Sequence, residues 1–600
     1  MTLLDWFILT VYFILSAAVG LAFAGRASRN ISEFFLTGRS LPWWLAGTSM
    51  VATTFAADTP LAVTGMVAQN GIAGNWLWWS LVMSGILTVF FYAHLWRRAQ
   101  VLTDVEFTEI RYAGQPAAIL RGFRALYLAI PINLIIMGWV NLAMLKILNV
   151  VLGIPPLTAF AFLFILTMSY SLLSGLWGVV VTDFIQFIIA MTGSIVLACY
   201  ALGAVGGIDG LIARLPEQYP SAEAALSFLP ATGAAWMPVT TFLAYLTVQW
   251  WATYYPGAEP GGGGYVAQRI FSARSERDGV LATLWFNIAH YALRPWPWII
   301  TALAAVVLYP DVADPADGYL LAIVDLLPPG ITGLLLASLA AAYMSTISTQ
   351  LNWGASYLIN DVYLRFVEAD APQKKVVLYS RLATGVVFLL SALFTWWLHL
   401  AGSIEGAWRI LIALGAGTGL VYILRWYWWR INAWSEISAM AASFITFVVL
   451  TVSGILSPVD PEESTLLMLV TTAVTTAVWI GVTFATEPVP EATLHAFYRR
   501  VRPGGPGWRV VARQLGFGDE PIAAGALSWL NWIAGVVSVY ATLFGVGKLI
   551  FGTLLEAIVF LLLAAGAFAW IAWSLKREQI WRDPDTRVAA PVRDAKNVLA

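Results

Sequence analysis

The sequence predicts an all-α polytopic membrane protein, and three observations predict it. Of its 600 residues, 60% are hydrophobic and only 11% are charged, where a soluble domain carries about 25% charge. Apolar runs long enough to cross a bilayer, roughly 20 residues each, recur along the whole chain. The segments between them alternate between arginine-bearing and arginine-free, as loops on the two sides of a membrane do.

By length and apolarity the chain offers about 15 candidate spans. They begin near residues 3, 42, 74, 121, 155, 177, 236, 279, 331, 376, 405, 436, 464, 526 and 550. The first, LLDWFILTVYFILSAAVGLAFA, is too long for the core of a signal peptide and lacks a basic leader, so it reads as a retained span. One set of connections holds Arg26/Arg29/Arg39, Arg97/Arg98/Arg111/Arg121, Arg269/Arg274/Arg277, Arg365/Lys374/Lys375, Arg425/Arg430 and Arg499/Arg500/Arg502/Arg509. The alternate set reads AQNGIAGN, DVADPADG and SPVDPEES, with no Lys or Arg. That asymmetry expects the N-terminus outside and the tail KREQIWRDPDTR in the cytoplasm. Trp426, Trp428 and Trp429, between Arg425 and Arg430, read as interfacial anchors.

Composition also excludes functions. A net charge of −1 offers no basic excess for a nucleic acid. Cys199 is the single cysteine, and His94, His290, His399 and His495 are scattered without metal-ligand spacing. No nucleophile–base set or cofactor motif points to an enzyme. The Gly261–Gly264 run lacks the following Lys-Ser/Thr of a phosphate loop and reads as backbone freedom at a gate.

Two spans are interrupted by residues that helices avoid. The second contains Ala56-Ala57-Asp58-Thr59-Pro60, and the seventh runs into Tyr255-Pro256-Gly257-Ala258-Glu259-Pro260 and the four glycines. Broken backbone at membrane depth survives only when buried in protein or lining a wet cavity. Two such spans, five apart, are the pattern of an inverted repeat of five-helix units.

At these residues the chain resembles the sodium:solute symporter family, which includes bacterial sodium/proline and sodium/sugar transporters. The resemblance rests on FFLTGRSLPWWLAGTSMVATTFAADTPLAVTG (34–65), TDVEFTEIRY (103–112), YSLLSGLWGVVVTDFIQF (170–187) and LASLAAAYMSTISTQLNWGASYLINDVY (336–363), in matching order over roughly residues 1–450. It implies a LeuT-like 5+5 core in a multi-pass protein of the bacterial inner membrane. The expected organisation is a first helix and cytoplasmic loop (1–40), a ten-helix transport core (41–430), two added helices (431–486), a basic, loop-rich cytoplasmic connector (487–525), and two last helices with a short tail (526–600). The function implied is sodium-coupled import of a small polar solute: a sugar or polyol, an amino acid or a carboxylate. A proton-coupled transporter of the same fold, or a transporter-like sensor, is the alternative. No cofactor is expected beyond the sodium ion; the partners are the solute, sodium and the lipid bilayer.

The resemblance assigns sodium to the carbonyls of Ala52, Phe55 and Ala342 and the hydroxyls of Ser345 and Thr346, an oxygen cage suited to a hard cation. The same two hydroxyls also suit bonding back to the helix or joining two helices. Asp183 reads either as part of the sodium path or as one half of a structural pair. Asp58 either caps the half-helix that starts at Thr59-Pro60 or touches the solute. Trp251 and Tyr255, four apart, match an aromatic pair that contacts substrate in the sodium/proline branch, and equally suit helix packing. The PGAEPGGGG insertion departs from the familiar branches and puts direct transfer of their substrates in doubt. Arg294 lies about 21 Å into its span, too deep to snorkel easily. It calls for an anionic partner, either Glu259 or Asp58 within the protein or a carboxylate on the solute. His290, one turn earlier, shares its seam.

Overall fold

A computed structural model describes residues 1–27, 29–255, 257–399, 415–458, 460–517 and 525–577. Among them the chain is helical without a β-strand; isolated backbone bridges join Leu41 to Ala273 and Trp428 to Gly507. Among the described residues ten helices are long and apolar enough to cross a membrane. Two bent pairs raise the number to 12: Trp43–Thr54 with Asp58–Asn70, at 61°, and Ile72–Trp79 with Val82–Ala99, at 41°.

The helices that position the site are, in chain order, α1 (Leu3–Ala27), α2 (Trp43–Thr54), α3 (Asp58–Asn70), α4 (Val82–Ala99), α5 (Gly114–Leu152), α6 (Pro156–Ala204), α7 (239–252), α8 (Gly264–Ser272), α9 (Glu276–Leu308) and α10 (Ile331–Val367). Three expected spans come out differently, and a fourth lies largely outside the described residues. Those near 155 and 177 form one continuous helix, α6, because residues 170–182 contain no proline or charge to break it. The span near 236 is the short α7, which holds a wide turn at Tyr245–Gln249 and stops at the glycine-rich break. The span near 405 falls largely on 400–414, outside the described residues.

Side-chain caps fix where the helices begin. Asp5, buried in the first turn of α1, accepts the Gly330 and Gly333 N–H groups at 2.7 and 2.9 Å and so closes the start of α10. Ser275 caps α9 through the Asp278 N–H. α9 and α10 are buried over most of their length, whereas α1 is mostly exposed at its apolar face.

Several charges assigned above to loops are buried instead. Arg269 lies in α8 and is fully buried. Arg121 pairs with Asp361 and Glu109, both at 2.7 Å, and Arg425 with Glu436 at 3.3 Å. Arg111 donates to the carbonyls of Arg425, Trp428 and Trp429. A buried guanidinium needs such partners, and five rigid donors let arginine collect them. Trp426 is likewise a core residue, its ring 4.2 Å from that of Phe107, while Trp428 and Trp429 are half-buried. The connector is structured where it is described. A helix at Glu491–Val501 packs Phe497 on Phe107 and Trp508, and the Trp508 indole donates to the Trp426 carbonyl at 2.8 Å.

Candidate functional site

The first break follows from three residues. Phe55 leaves the helical region at φ −90°, ψ 74°. α3 restarts at Asp58, with Pro60 in its first turn, where a missing N–H costs nothing. α10 is sutured to this break: the Thr346 hydroxyl donates to the carbonyls of Thr53 (2.7 Å) and Ala342 (3.2 Å). The structure therefore brings Ala52, Phe55, Ala342, Ser345 and Thr346 onto two facing helices. The Ala52 carbonyl also accepts the Phe55 N–H at 3.0 Å.

Behind the break lies a buried polar cluster. Asp183 accepts hydrogen bonds from Ser49 (2.5 Å) and Ser345 (2.6 Å). Arg269 approaches the same carboxylate at 3.7 Å and donates to Ser49 at 3.2 Å and Thr349 at 2.7 Å. Asp183 is thus one half of an internal pair with both a hydroxyl and an arginine. Arg269 is the member that the sequence reading placed in a loop.

A cavity opens beside the break. Its wall includes Thr53, Thr54, Asp58, Thr346 and Gln350, the rings of Trp78, Trp139, Tyr255, Tyr265 and Tyr291, and Arg294. Arg294 follows a wide turn at Ile288–Leu293, its own N–H reaching back to the Ala289 carbonyl at 3.1 Å, and precedes Pro295. Such turns re-aim side chains and recur at functional sites. The guanidinium donates to the Val51 carbonyl and the Thr54 hydroxyl, both at 3.0 Å, and lies over the rings of Phe55 and Trp298. Its Nε has no partner, and among the described residues it forms no ion pair with Asp58 or Glu259. Asp58 and the guanidinium still act on each other through their charges, and the hydrogen bonds of Arg294 go to acceptors that the helix break frees. His290 joins the seam through Thr54 at 3.0 Å.

Asp58 does not cap α3 with its side chain; it is the helix's first residue, buried on the cavity wall, with Oδ1 unpartnered. Tyr255 lines the cavity but Trp251 does not, its indole turned back to the Thr247 carbonyl at 2.6 Å. Glu259 faces a separate, smaller chamber. Gln350 and Thr53 were missed by the sequence reading; Gln350 stands four residues after Thr346 on the same face of α10. At one end of α5, Lys146 pairs with Asp314 at 2.5 Å and Asp317 at 2.7 Å, in the loop that packs on α3. Burial alone would raise the Asp314 carboxyl, but the Lys146 ammonium and the Ala316 N–H outweigh it and hold it below its ordinary value.

Interrupted helices around a buried, polar-lined cavity in a membrane bundle are the construction of a secondary transporter. The chain belongs to the sodium:solute symporter family, whose family model matches residues 34–445. A sodium/glucose cotransporter of Vibrio parahaemolyticus is 24% identical over 470 residues, covering 74% of this chain and 84% of that one. Sodium/glucose cotransporter 1 of Oryctolagus cuniculus is also 24% identical, across 71% of this chain and 69% of its own. A solved Na+-coupled sialic acid symporter, substrate-bound and outward-open, shares the fold with a TM-score of 0.67 at 19% identity, over 82% of this chain and 99% of that one. Membership makes the protein a multi-pass membrane transporter that couples sodium to a small solute, and not an enzyme.

Proposed function

We propose that this chain imports a small, hydroxyl-bearing anionic solute, of sugar-acid type, together with sodium across a bacterial inner membrane. The observation that carries the proposal is Arg294: a buried cation on the cavity wall, held by a carbonyl and a hydroxyl and, among the described residues, in no ion pair. A solute carboxylate supplies the missing charge and meets a guanidinium geometry suited to it. The unpartnered Asp58 oxygen accepts solute hydroxyls, and the surrounding rings offer apolar faces to a sugar ring. The matched relatives carry glucose by name and the neighbouring structure sialic acid, both hydroxyl-rich solutes.

Sodium binds at Ala52, Phe55, Ala342, Ser345 and Thr346, within the LeuT-like core of a chain whose N-terminus lies outside and whose C-terminus is cytoplasmic. Occupying that site joins α10 to the α2–α3 break and favours the outward-open state. Solute then fills the cavity, the bundle rocks, and both leave inward, sodium passing Asp183. At 100 mV each entering sodium contributes about 2.3 kcal/mol and each entering anionic charge costs as much, so one sodium per anionic solute draws on the sodium gradient alone.

The test is thermal stability of the purified protein against sugars, sugar acids, amino acids and simple carboxylates, in sodium and in potassium. A ligand that binds only the folded state raises stability by mass action. A shift confined to sugar acids in sodium, and lost in Arg294→Gln, is expected. Equal shifts in both salts overturn sodium coupling and favour protons; a shift for neutral hexoses alone overturns the role of Arg294.

A further inference from the structure

The connector lies beyond the residues that the family model matches, and it lays a basic surface against the ends of membrane helices. Residues 488–517 hold Arg499, Arg500, Arg502, Arg509 and Arg513 against a single carboxylate, Glu491. Gly507 forms a backbone bridge with Trp428 and accepts the Trp429 N–H at 3.3 Å. Trp428 to Asn432 is the turn that joins the helix Gly419–Tyr427 to the span Ala433–Val452. Irregular backbone open to lipid is confined to the bilayer surface, so this turn and the segment docked on it lie at headgroup depth. Arg430, in the same turn, donates through Nη2 to the Thr486 carbonyl at 2.6 Å, just past the span Pro461–Ala485, and its Nη1 has no partner.

The helix Arg509–Gln514 buries Val511 and Ala512 and exposes Arg509, Val510, Arg513 and Gln514. Two of the connector's arginines are engaged by the protein. Arg500 donates to the Gln100 carbonyl at 3.3 Å, and Arg502 lies over the Phe517 ring at 4.4 Å. The other three, Arg499, Arg509 and Arg513, are exposed, and among the described residues their guanidinium groups make no hydrogen bond or ion pair. Val510, 56% exposed, stands between two of them.

Unpaired guanidiniums at headgroup depth meet phosphate oxygens in a geometry that suits their planar fork. A dissolved anion would leave Val510 in water, whereas a phospholipid covers it. Basic segments beside membrane helices gain affinity for anionic lipid with every Lys or Arg they bring to the surface. We propose that Arg499, Arg509 and Arg513, with Arg430, bind the headgroups of anionic phospholipids and so seat the connector on the leaflet it borders. Seating it holds Phe497 on Phe107 and Trp508 on Trp426, so lipid binding stabilises the fold.

Thermal unfolding of the full chain in neutral detergent tests this, with added phosphatidylglycerol, phosphatidylcholine or inorganic phosphate. Phosphatidylglycerol alone is expected to raise the unfolding temperature. Arg499→Gln, Arg509→Gln and Arg513→Gln together are expected to need about a hundredfold more of it for the same rise. Arg29→Gln, Arg277→Gln and Lys374→Gln together remove as many exposed charges elsewhere, and are expected to respond as wild type does. Lysine at 499, 509 and 513 keeps the charge and is expected to keep most of the rise, which separates lost charge from lost fold. An equal rise with inorganic phosphate overturns the lipid as the occupant, and an equal rise with phosphatidylcholine overturns charge as the cause. A wild-type response in the connector glutamine variant, or an equal loss in both glutamine variants, overturns the surface. A loss in the lysine variant as deep as in the glutamine one also overturns charge as the cause.

Discussion

The two broken spans solve the same problem with different materials. The first break is short, three residues between α2 and α3, and side chains hold it. Thr346 bonds its Thr53 carbonyl, Arg294 bonds Val51 and Thr54, and Asp183 with Arg269 braces α2 from behind through Ser49. The second break, from Thr253 to Gly263, is shaped by its glycines, and the Ser84 hydroxyl pins its Ala258 carbonyl at 2.8 Å. Gly257, Gly261 and Gly262 all adopt positive φ, and Gly261 closes on Trp96, whose indole donates to its carbonyl at 2.8 Å. The lesson is a division of labour: a buried charged pair braces the first break, while glycine conformations shape the second. Fixed polar groups suit a constant binding surface, and a glycine hinge suits a gate.

The largest effect is expected where charge holds the first break. Arg269→Met strips Asp183 of its cation and leaves a buried carboxylate with hydroxyls only. Breaking a buried pair this way costs about 3–5 kcal/mol, so thermal unfolding should fall sharply and uptake vanish. Asp183→Asn in the same chain should recover stability, because the pair is then neutral on both sides. Unchanged stability in the single variant would mean that α2 is not braced by charge.

Next comes the backbone of the second break. Gly257 has φ +86°, and a Cβ there would lie 2.2 Å from the Tyr265 hydroxyl oxygen and 3.3 Å from Thr54. Gly257→Ala carries a left-handed penalty of about 1–2 kcal/mol before the clash is counted. Adding Tyr265→Phe should restore part of the stability, by removing the clash and not the backbone strain. Complete recovery would show that contact, and not glycine's freedom, shapes this break.

These contrasts also explain what the sequence let one see. The first break was legible because Asp58, Thr59 and Pro60 interrupt an apolar run, and the depth of Arg294 was legible from counting. Its partners were not, since Val51 contributes a carbonyl that only the break sets free. Arg269 was misplaced because GGGG before it and Arg274 and Arg277 after it resemble a loop; the helix between them is short and wholly enclosed. Glu259 was noticed as a charge, but its chamber depends on Asn287 packing against Gly85 from 202 positions away. No local pattern reports such an encounter. Trp426 misled for the opposite reason, because one tryptophan of a cluster typical of interfaces is used for the core.

A third variant sharpens the assignment of the cavity to the first break. Arg294→Lys keeps the positive charge but loses the planar guanidinium, whose Nη1 bonds both Val51 and Thr54. Solute affinity is expected to fall about tenfold, or about 1.4 kcal/mol, with sodium binding to the solute-free protein unchanged. A drop in sodium binding as well would mean that Arg294 acts by shaping the break and not by meeting the solute.

The smallest expected effect has the opposite sign. Gly65 lies inside α3, in helical conformation, and a Cβ there would meet Ala316 at 3.8 Å, an ordinary contact. Glycine in a helix interior costs roughly 0.5–1 kcal/mol relative to alanine, so Gly65→Ala should raise the unfolding temperature slightly and leave sodium and solute affinities alone. The same exchange is thus expected to stabilise the span that side chains hold and to damage the one that glycine holds. If α3 must also flex during transport, the stabilised variant will transport more slowly at unchanged affinity. That result would move the first break from fixed surface to moving part, and with it the division between the two spans.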